Sequence, residues 1–198
     1  MSRFNDAHFL TSAAAPAQFP PDLGTEVAFT GRSNAGKSSA INAITQRQAL
    51  ARTSKTPGRT RLLNFFELMP SRRLVDLPGY GYAQVPGAER DAWVPLLNAL
   101  RGRAALIGLF MIVDARRGIT AGDLELLDWA QPTLRVHVLL SKADKLNRGE
   151  ASAVWRAASA QLAGRASSQL FSALKGTGVR EAQDTLLAWL TLKDAPAR

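Results

Sequence analysis

Cysteine is missing from this chain, and its absence excludes disulfide bonds and thiolate metal sites. Long apolar runs are missing too. The longest, at 104–113, is of strand length and contains Gly108, whereas a membrane-spanning helix needs roughly 18 apolar residues. We expect no secretory signal, because the first residues lack a basic segment followed by an apolar one. These absences fit a protein of the reducing cytoplasm, and we expect a cytoplasmic location.

Acidic residues are scarce relative to basic ones. The 198 residues include 25 Lys and Arg against 16 Asp and Glu, which gives a net charge of +9 and an isoelectric point near 10.8. Such an excess favours a polyanionic partner, either nucleic acid or an anionic membrane surface; the alternative is a surface that is merely solubilising. Between positions 47 and 73, where Glu67 is the only acid, lies a set of basic residues that we call the basic stripe: Arg47, Arg52, Lys55, Arg59, Arg61, Arg72 and Arg73.

The pattern of apolar segments predicts alternating strands and helices. Strands are expected at 26–30, 62–68, 72–76, 105–113, 134–140 and 169–172, and helices at 37–46, 89–100, 122–130, 150–162 and 178–190. This order is typical of an α/β protein with a doubly wound, mostly parallel sheet, here of six strands with helices on both faces. We expect an irregular lead-in over 1–24, one domain over 25–193 and a short tail over 194–198. The tryptophans fall in predicted helices and are expected in the core: Trp93, Trp129, Trp155 and Trp189.

A glycine-rich segment joins the first predicted strand to the first predicted helix. It matches the pattern G-x-x-x-x-G-K-[ST] through the residues Gly31, Arg32, Ser33, Asn34, Ala35, Gly36, Lys37 and Ser38. Its backbone N–H groups can curve around phosphates, and the helix start adds the positive end of its dipole. Lys37 can reach the β- and γ-phosphates, and the Ser38 hydroxyl can bind Mg²⁺. The segment predicts a nucleotide-phosphate site; the alternative is a structural glycine-rich turn.

A second motif ends the strand expected at 72–76, and its residues are Asp76, Leu77, Pro78 and Gly79. Asp76 is suited to hold Mg²⁺ through water, as a Walker-B aspartate does. Gly79 would leave a backbone N–H free to meet the γ-phosphate. The pattern D-x-x-G alone is common in turns, but after a phosphate-binding loop and at a strand end it supports a nucleotide site.

A third motif follows the strand expected at 134–140 and comprises Ser141, Lys142, Ala143 and Asp144. A carboxylate here can accept both N1–H and the exocyclic amine of guanine, a pair of donors that adenine does not offer. The Lys142 stem can cover one face of the base. Ser141 departs from the usual [NT]-K-x-D but keeps a small hydroxyl. The last predicted strand ends in residues that would bring a backbone N–H near the guanine O6: Phe171, Ser172 and Ala173. We therefore expect GTP and GDP as ligands.

The loop between the first helix and the second strand should supply a threonine that senses magnesium and the γ-phosphate. Thr53, Thr56 and Thr60 are candidates, and we choose Thr60 because it lies just before the strand expected from 62. The segment expected to order around the γ-phosphate comprises Gly58, Arg59, Thr60, Arg61 and Leu62.

With these motifs in order, the chain resembles the translation-factor-related GTPases. More narrowly it resembles the EngB family, also called YihA or YsxC, within the TrmE-Era-EngA-EngB-Septin-like group. Three strings carry the narrower resemblance: EVAFTGRSN at 26–34, KTPGRT at 55–60 and DLPGYGYA at 76–83. The resemblance covers nearly the whole chain. It implies a GTPase that assists assembly of the large ribosomal subunit, contacts its RNA and proteins, and is needed for normal cell division and septation. We expect a monomer.

Two residues bear on the rate of hydrolysis. Tyr80 stands where Ras-like proteins carry the glutamine that orients water, so intrinsic hydrolysis should be slow. In related GTPases an asparagine at the position of Asn34 ligates a potassium ion; the alternative is that Asn34 only tolerates a tight turn. The candidate catalytic residues are therefore Lys37, Thr60 and Asn34.

Two other classes of function compete with a GTPase. A metabolic P-loop kinase would leave the motifs at 76–79 and 141–144 unexplained, and no arginine-rich lid insertion is evident. An RNA-binding protein with a vestigial nucleotide site would not need Lys37, Ser38 and Asp76 intact.

Overall fold

The structure, a computed structural model, describes residues 3–4, 6–51, 62–79 and 87–192. Each predicted strand and helix has a counterpart whose ends differ by no more than two residues from those expected. The elements are β1 (His8–Ala13), β2 (Thr25–Gly31), α1 (Lys37–Thr45), β3 (Leu63–Met69), β4 (Arg72–Asp76), α2 (Gly87–Arg101), β5 (Leu106–Asp114), α3 (Ala121–Ala130), β6 (Arg135–Ser141), α4 (Arg148–Leu162), β7 (Ser167–Leu170) and α5 (Val179–Leu190).

The strands of the described residues form one sheet in the order β1-β3-β4-β2-β5-β6-β7. β4, β2, β5, β6 and β7 run parallel, whereas β3 is antiparallel to β4 and to β1. This confirms the α/β fold class with a mostly parallel sheet. It also places the carboxyl ends of β2, β4, β5, β6 and β7 on the same side of the sheet, where ligands of such sheets bind.

The strand β1 is the main departure from expectation, and it makes the sheet seven-stranded instead of six-stranded. Residues 1–24 were expected to be irregular, but His8–Ala13 pairs antiparallel with β3 and has a register irregularity between Phe9 and Thr11. Phe9 meets Phe66 of β3 edge to face at 5.8 Å between ring centroids. The strand lies at the sheet edge and is mostly exposed, so it lacks the alternating burial that would have revealed it.

The central strand β5 supplies both layers of the core. Leu109, Met111 and Val113 face α2, α3 and α4, while Phe110 and Ile112 face α1 and α5. A strand buried on both faces is a continuous apolar run in sequence, and this explains why residues 105–113 could be recognised without alternation. Helices therefore cover both faces, as expected of a doubly wound sheet. No helix of the described residues is long and apolar enough to cross a membrane.

The tryptophans do not share one environment. Trp189 of α5 is only 9% exposed and meets Phe110 at 5.2 Å between ring centroids. Its indole lies over Gly108, where an added Cβ would come within 2.4 Å of the ring. Trp129 is half-buried, and Trp155 is 44% exposed, so the core role expected for Trp155 is wrong. Its indole N–H instead donates to a carbonyl of β7.

A buried cluster of ion pairs lies near the amino-terminal ends of β2 and β4, on the side of the sheet opposite the motifs. Glu26 is fully buried, with Arg103 donating to both of its oxygens at 2.7 and 2.8 Å and Arg73 at 3.1 Å from Oε1. Arg72 donates to the carbonyl of Leu190 at 3.2 Å. Arg72 and Arg73 thus serve the fold, and their assignment to the basic stripe as a polyanion-binding surface is wrong.

Candidate functional site

The loop Gly31–Ser38 leaves β2 and enters α1 through two residues with left-handed backbone. Asn34 has φ +64° and Gly36 has φ +97°. Gly31 packs directly on β5, since an added Cβ would lie 2.6 Å from the carbonyl oxygen of Ile112. The loop has the shape that a run of backbone N–H groups needs to surround an anion.

Two charged side chains from different elements meet beside this loop. The Lys37 ammonium forms an ion pair with the Asp76 carboxylate at the end of β4. Asp76 is 7% exposed, and burial raises the pKa of its carboxyl, opposed by Lys37 and by a hydrogen bond from Asn64. Ser38, the second residue of α1, is half-buried. Lys37 and Asp76, two of the residues predicted to meet phosphate and magnesium, therefore lie in contact, and Ser38 follows Lys37 directly.

The segment after Asp76 approaches the loop closely. The Leu77 N–H donates to a β2 carbonyl at 2.9 Å, and the Leu77 side chain is buried. Pro78, the next residue, is half-buried. An added Cβ at Gly79 would lie 3.1 Å from the carbonyl oxygen of Gly31 and 3.3 Å from the nitrogen of Ser33. A residue with a side chain at 79 would crowd the loop, which is a physical reason for glycine there.

The third motif also contacts the loop. The Ser141 hydroxyl donates to the Ala35 carbonyl at 2.5 Å and the Lys142 ammonium donates to the Asn34 carbonyl at 2.5 Å. Ser141 is buried, so its hydroxyl has a structural role that a threonine or asparagine side chain could also fill. The departure from [NT]-K-x-D therefore leaves the contact with the loop intact.

Asp144 is oriented by the end of the last strand. The Ser172 hydroxyl donates to Asp144 Oδ1 at 2.6 Å, and this hydrogen bond is the main reason why the pKa of the carboxyl is lowered. The Ala143 N–H donates to the Phe171 carbonyl at 3.1 Å. A groove of about 650 Å³ opens here, lined among others by Asp144 and Ala173, and its size suits a small-molecule ligand.

Asp114, the last residue of β5, contributes to the site although the sequence motifs did not predict it. Its Oδ2 accepts from Lys142 at 3.0 Å and from Arg116 at 2.6 Å, and its Oδ1 accepts from Arg116 at 2.9 Å. These contacts hold the pKa of the Asp114 carboxyl well below its usual range. The available signal was an acid at the carboxyl end of a buried strand, two residues before an arginine.

Several predicted site residues lie outside the described residues: Gly58, Arg59, Thr60, Arg61 and Tyr80. The same holds for Arg52 and Lys55 of the basic stripe. Leu62 is described, half-buried just before β3. Arg47 is exposed and lines the groove beside Asp144.

A magnesium ion fits the oxygen donors beside the loop. Mg²⁺ prefers oxygen ligands and usually keeps several waters, using one or two protein groups and the substrate phosphates. Ser38 and the buried Asp76 offer that sparse set, and no group of three or more His, Asp or Glu within the described ranges competes as a metal site.

Three features of this doubly wound sheet define a P-loop GTPase. They are a phosphate loop after β2, an aspartate at the end of β4, and a pocket with a carboxylate after β6.

A family model described as "50S ribosome-binding GTPase" matches residues 26–142. Among curated relatives, "Probable GTP-binding protein EngB" of Azoarcus sp. (strain BH72) is 50% identical over 196 residues, covering 96% of this chain and 94% of that protein. The protein of the same name from Thiobacillus denitrificans is 52% identical over 190 residues, covering 94% and 92%.

The chain belongs to the EngB family: it is a GTP-binding protein and a GTPase. Membership rules out the metabolic kinase and the vestigial nucleotide site as interpretations of the motifs. A crystal structure of a probable GTP-binding protein EngB matches with a TM-score of 0.67 at 20% identity, covering 84% of this chain and 98% of that one. A variant of Aquifex aeolicus Era bound to GDP and aluminium fluoride matches with a TM-score of 0.64 at 20% identity, covering 84% and 57%. At these identities the likeness concerns the fold.

Proposed function

We propose that this GTPase is a nucleotide-dependent switch that docks on the large ribosomal subunit or its precursor, assists its assembly, and is thereby needed for normal cell division and septation. The observation that carries the proposal is the match of residues 26–142 to a family described as 50S ribosome-binding GTPases. The net charge of +9 agrees with an RNA-bearing partner. In this proposal the protein acts in the cytoplasm as a monomer with a single GTPase domain over 25–193.

Phosphate binding is assigned to the loop 31–38. Lys37 would exchange its ion pair with Asp76 for the β- and γ-phosphates, because a charged lysine prefers the larger negative charge of the triphosphate. Asp76 would then be free to accept from water around the magnesium ion that Ser38 helps to hold. When bound, Mg²⁺ neutralises charge on the phosphate oxygens.

Guanine recognition is assigned to Asp144, with Lys142 covering the base and the segment 171–173 beside O6. The supporting observation is the short hydrogen bond from Ser172, which keeps the Asp144 carboxylate charged and fixes one of its oxygens. A charged acceptor fixed in this way favours guanine over adenine, since adenine offers no pair of donors at that edge.

Switching and hydrolysis are assigned to Thr60 and Asn34. Thr60 would contact magnesium only when a γ-phosphate orders the segment 58–62, which gives the partner a state to recognise. With Tyr80 in place of a water-orienting glutamine, hydrolysis by the protein alone is slow. Asn34 would ligate a potassium ion in the GTP-bound form.

Cosedimentation with purified large ribosomal subunits tests the proposal. Protein loaded with a non-hydrolysable GTP analogue should pellet with the subunits, whereas protein loaded with GDP should stay in the supernatant. A Lys37→Ala variant, which lacks the phosphate contact, should stay in the supernatant with either nucleotide. Equal pelleting of the parent with GDP and with the analogue would contradict a nucleotide-dependent switch.

A further inference from the structure

A small cleft opens between the phosphate loop and the turn that follows β5. It encloses about 80 Å³ and is lined by Arg32 and Asn34 of the loop, by Arg116 and Arg117 of the turn, and by Lys142. Thr120, the N-cap of α3, also lines the cleft. We call this feature the arginine cleft.

The arginine cleft overlaps only part of the site assigned to the nucleotide. Of the described residues, neither the Lys37–Asp76 pair nor Ser38 lines it, and neither does Asp144. It shares Lys142 with the groove beside Asp144, and it shares residues 32–35 with the loop that is predicted to bind phosphate. A group bound in the cleft would therefore touch the same loop as the nucleotide while leaving Lys37, Ser38 and Asp144 to the nucleotide.

The charges of the cleft do not cancel. Its two acids are already engaged: Asp114 accepts from Arg116 and Lys142, and the buried Asp123 accepts from the Thr120 hydroxyl and N–H at 2.7 Å each. The structure gives Arg32 and Arg117 no carboxylate partner among the residues it describes.

These two guanidinium groups line a cleft in which a third is already held rigid. Asp114 fixes Arg116 through two parallel hydrogen bonds, so that part of the cleft is preorganised. Guanidinium groups recognise phosphate oxygens through their planar fork of N–H donors. The cleft is small, which suits a single tetrahedral anion better than a base.

We propose that the arginine cleft binds a backbone phosphate of ribosomal RNA, with Arg117 and Arg32 as the cations that meet it. The proposal rests on the function proposed above, because the large subunit supplies the RNA. It relocates the polyanion contact from Arg72 and Arg73, which serve the fold, to the edge of the sheet that carries the nucleotide. The RNA then touches the phosphate loop itself.

The test is a charge reversal at Arg117, which is exposed and belongs to no nucleotide motif. Arg117→Glu, Arg117→Lys and the parent are each loaded with a non-hydrolysable GTP analogue and titrated with large subunits over a salt series. Arg117→Glu should bind about tenfold more weakly, with the slope of log affinity against log salt reduced by about one. Arg117→Lys, which keeps the charge but lacks the planar fork of donors, should bind with an affinity between those of Arg117→Glu and the parent. The matched control is Arg135→Glu, an equal charge change on an exposed residue at the opposite end of β6, which should bind like the parent.

In the titration with large subunits, three outcomes would overturn the proposal, and they are distinguishable. If the parent binds subunits and Arg117→Glu binds as tightly, the cleft is wrong while the proposed function stands. If the parent itself does not bind large subunits, both the proposed cleft contact and the proposed function are wrong. If Arg117→Glu loses affinity for GDP by the same factor as it loses affinity for large subunits, the cleft binds the phosphates of the nucleotide instead.

The same titration on protein-free large-subunit RNA identifies the source of the anion. Loss of affinity by Arg117→Glu on both the RNA and the intact subunits supports a backbone phosphate. Loss on the subunits alone, with RNA binding unchanged, would assign Arg117 to a ribosomal protein and overturn the proposal.

Discussion

Asp144 has one oxygen engaged by Ser172, and its role can be tested by replacing the carboxylate with an amide. Asp144→Asn substitutes a donor for one of the two acceptors that guanine requires, so affinity for GDP and GTP should fall about 100-fold or more. Xanthine nucleotides, which present an acceptor at that edge, should gain affinity. Nucleotide titration by calorimetry measures both.

Ser172→Ala is the matched control for this variant. It removes the orienting hydrogen bond at 2.6 Å but leaves both carboxylate oxygens, so the loss should be nearer to about tenfold and without gain for xanthine nucleotides. Unchanged GDP affinity in Asp144→Asn would remove the basis for assigning guanine to this residue.

Asp114 is expected to act through Lys142. Asp114→Asn removes the charge that tethers the ammonium at 3.0 Å, so GDP affinity should fall about tenfold while hydrolysis at saturating GTP stays near that of the parent. Arg116→Gln leaves the contact between Asp114 and Lys142 in place and should have a smaller effect on affinity. If the two variants lose the same affinity, the pair of Asp114 with Arg116 matters and the tether does not.

Asn34 combines a left-handed backbone with an exposed side chain, and the two roles can be separated. Asn34→Gly keeps the φ of +64° accessible and removes only the side chain. If the side chain ligates potassium, the parent should hydrolyse GTP faster in K⁺ than in Na⁺ at equal ionic strength, and the variant should show no difference. A parent rate that is the same in both salts, alone and on large subunits, would leave Asn34 its conformational role only.

At the scale of elements, β6 and β7 are joined by a buried histidine. His137 Nε2 donates to Gln169 Oε1 at 2.9 Å and Nδ1 lies 2.7 Å from the Ser167 hydroxyl, an arrangement that a neutral ring satisfies. Burial is the main cause that lowers the pKa of His137 below its ordinary 6.5. As pH falls, His137 therefore takes up a proton at a higher pH in the unfolded chain than in the folded protein.

The free energy of unfolding should be undiminished above about pH 7 and should decrease as pH falls through 6.5 toward the folded-state pKa of His137. Urea titrations between about pH 7 and pH 5 measure this slope. His137→Gln should flatten it, whereas His8→Gln, at the exposed second histidine, should not. An equal slope in the parent and in His137→Gln would assign the pH dependence to other groups.

The elements that carry motifs were predictable because their chemistry is local. The loop at 31–38 and the aspartate at 76 follow from short patterns at strand ends, and the sheet topology then brings Lys37 and Asp76 together. β1 was not predictable, since it is held by pairing with β3 and by the Phe9–Phe66 contact, which no local pattern in an Ala- and Pro-rich segment reports.

Charge was the least predictable property of the candidate site. Arg72 and Arg73 are neighbours of the basic residues at 47–61 in sequence, but β4 carries them to the far edge of the sheet, where Arg73 meets Glu26. Asp114 and Lys142 are 28 residues apart and become partners only because β5 and β6 are adjacent. Sequence indicates how many charges there are, whereas the topology decides which of them neutralise one another.

At the scale of the whole molecule, guanine nucleotide should stabilise the folded state. At a concentration about 100 times its Kd, GDP with Mg²⁺ should add about 2.7 kcal/mol, which raises the Tm by roughly 5–10 °C for a chain of this length. ATP at the same concentration should not. Differential scanning calorimetry measures the shift, and a single transition is expected if 25–193 is one domain. An equal shift with ATP would contradict guanine selectivity.

The close approach of the Trp189 ring to Gly108 has a consequence for how the central strand is aligned. Both sets of side chains on β5 are apolar, so hydrophobicity alone would tolerate a slip by one residue that exchanged them between the two layers. A slip would bring Ile107 or Leu109 beneath the indole, where even a Cβ would lie 2.4 Å from the ring. Only glycine fits beneath the indole, so the contact between Gly108 and Trp189 favours one register of β5 against α5. Because the register of β5 is fixed in this way, Asp114 at the end of the strand lies within hydrogen-bonding distance of Lys142.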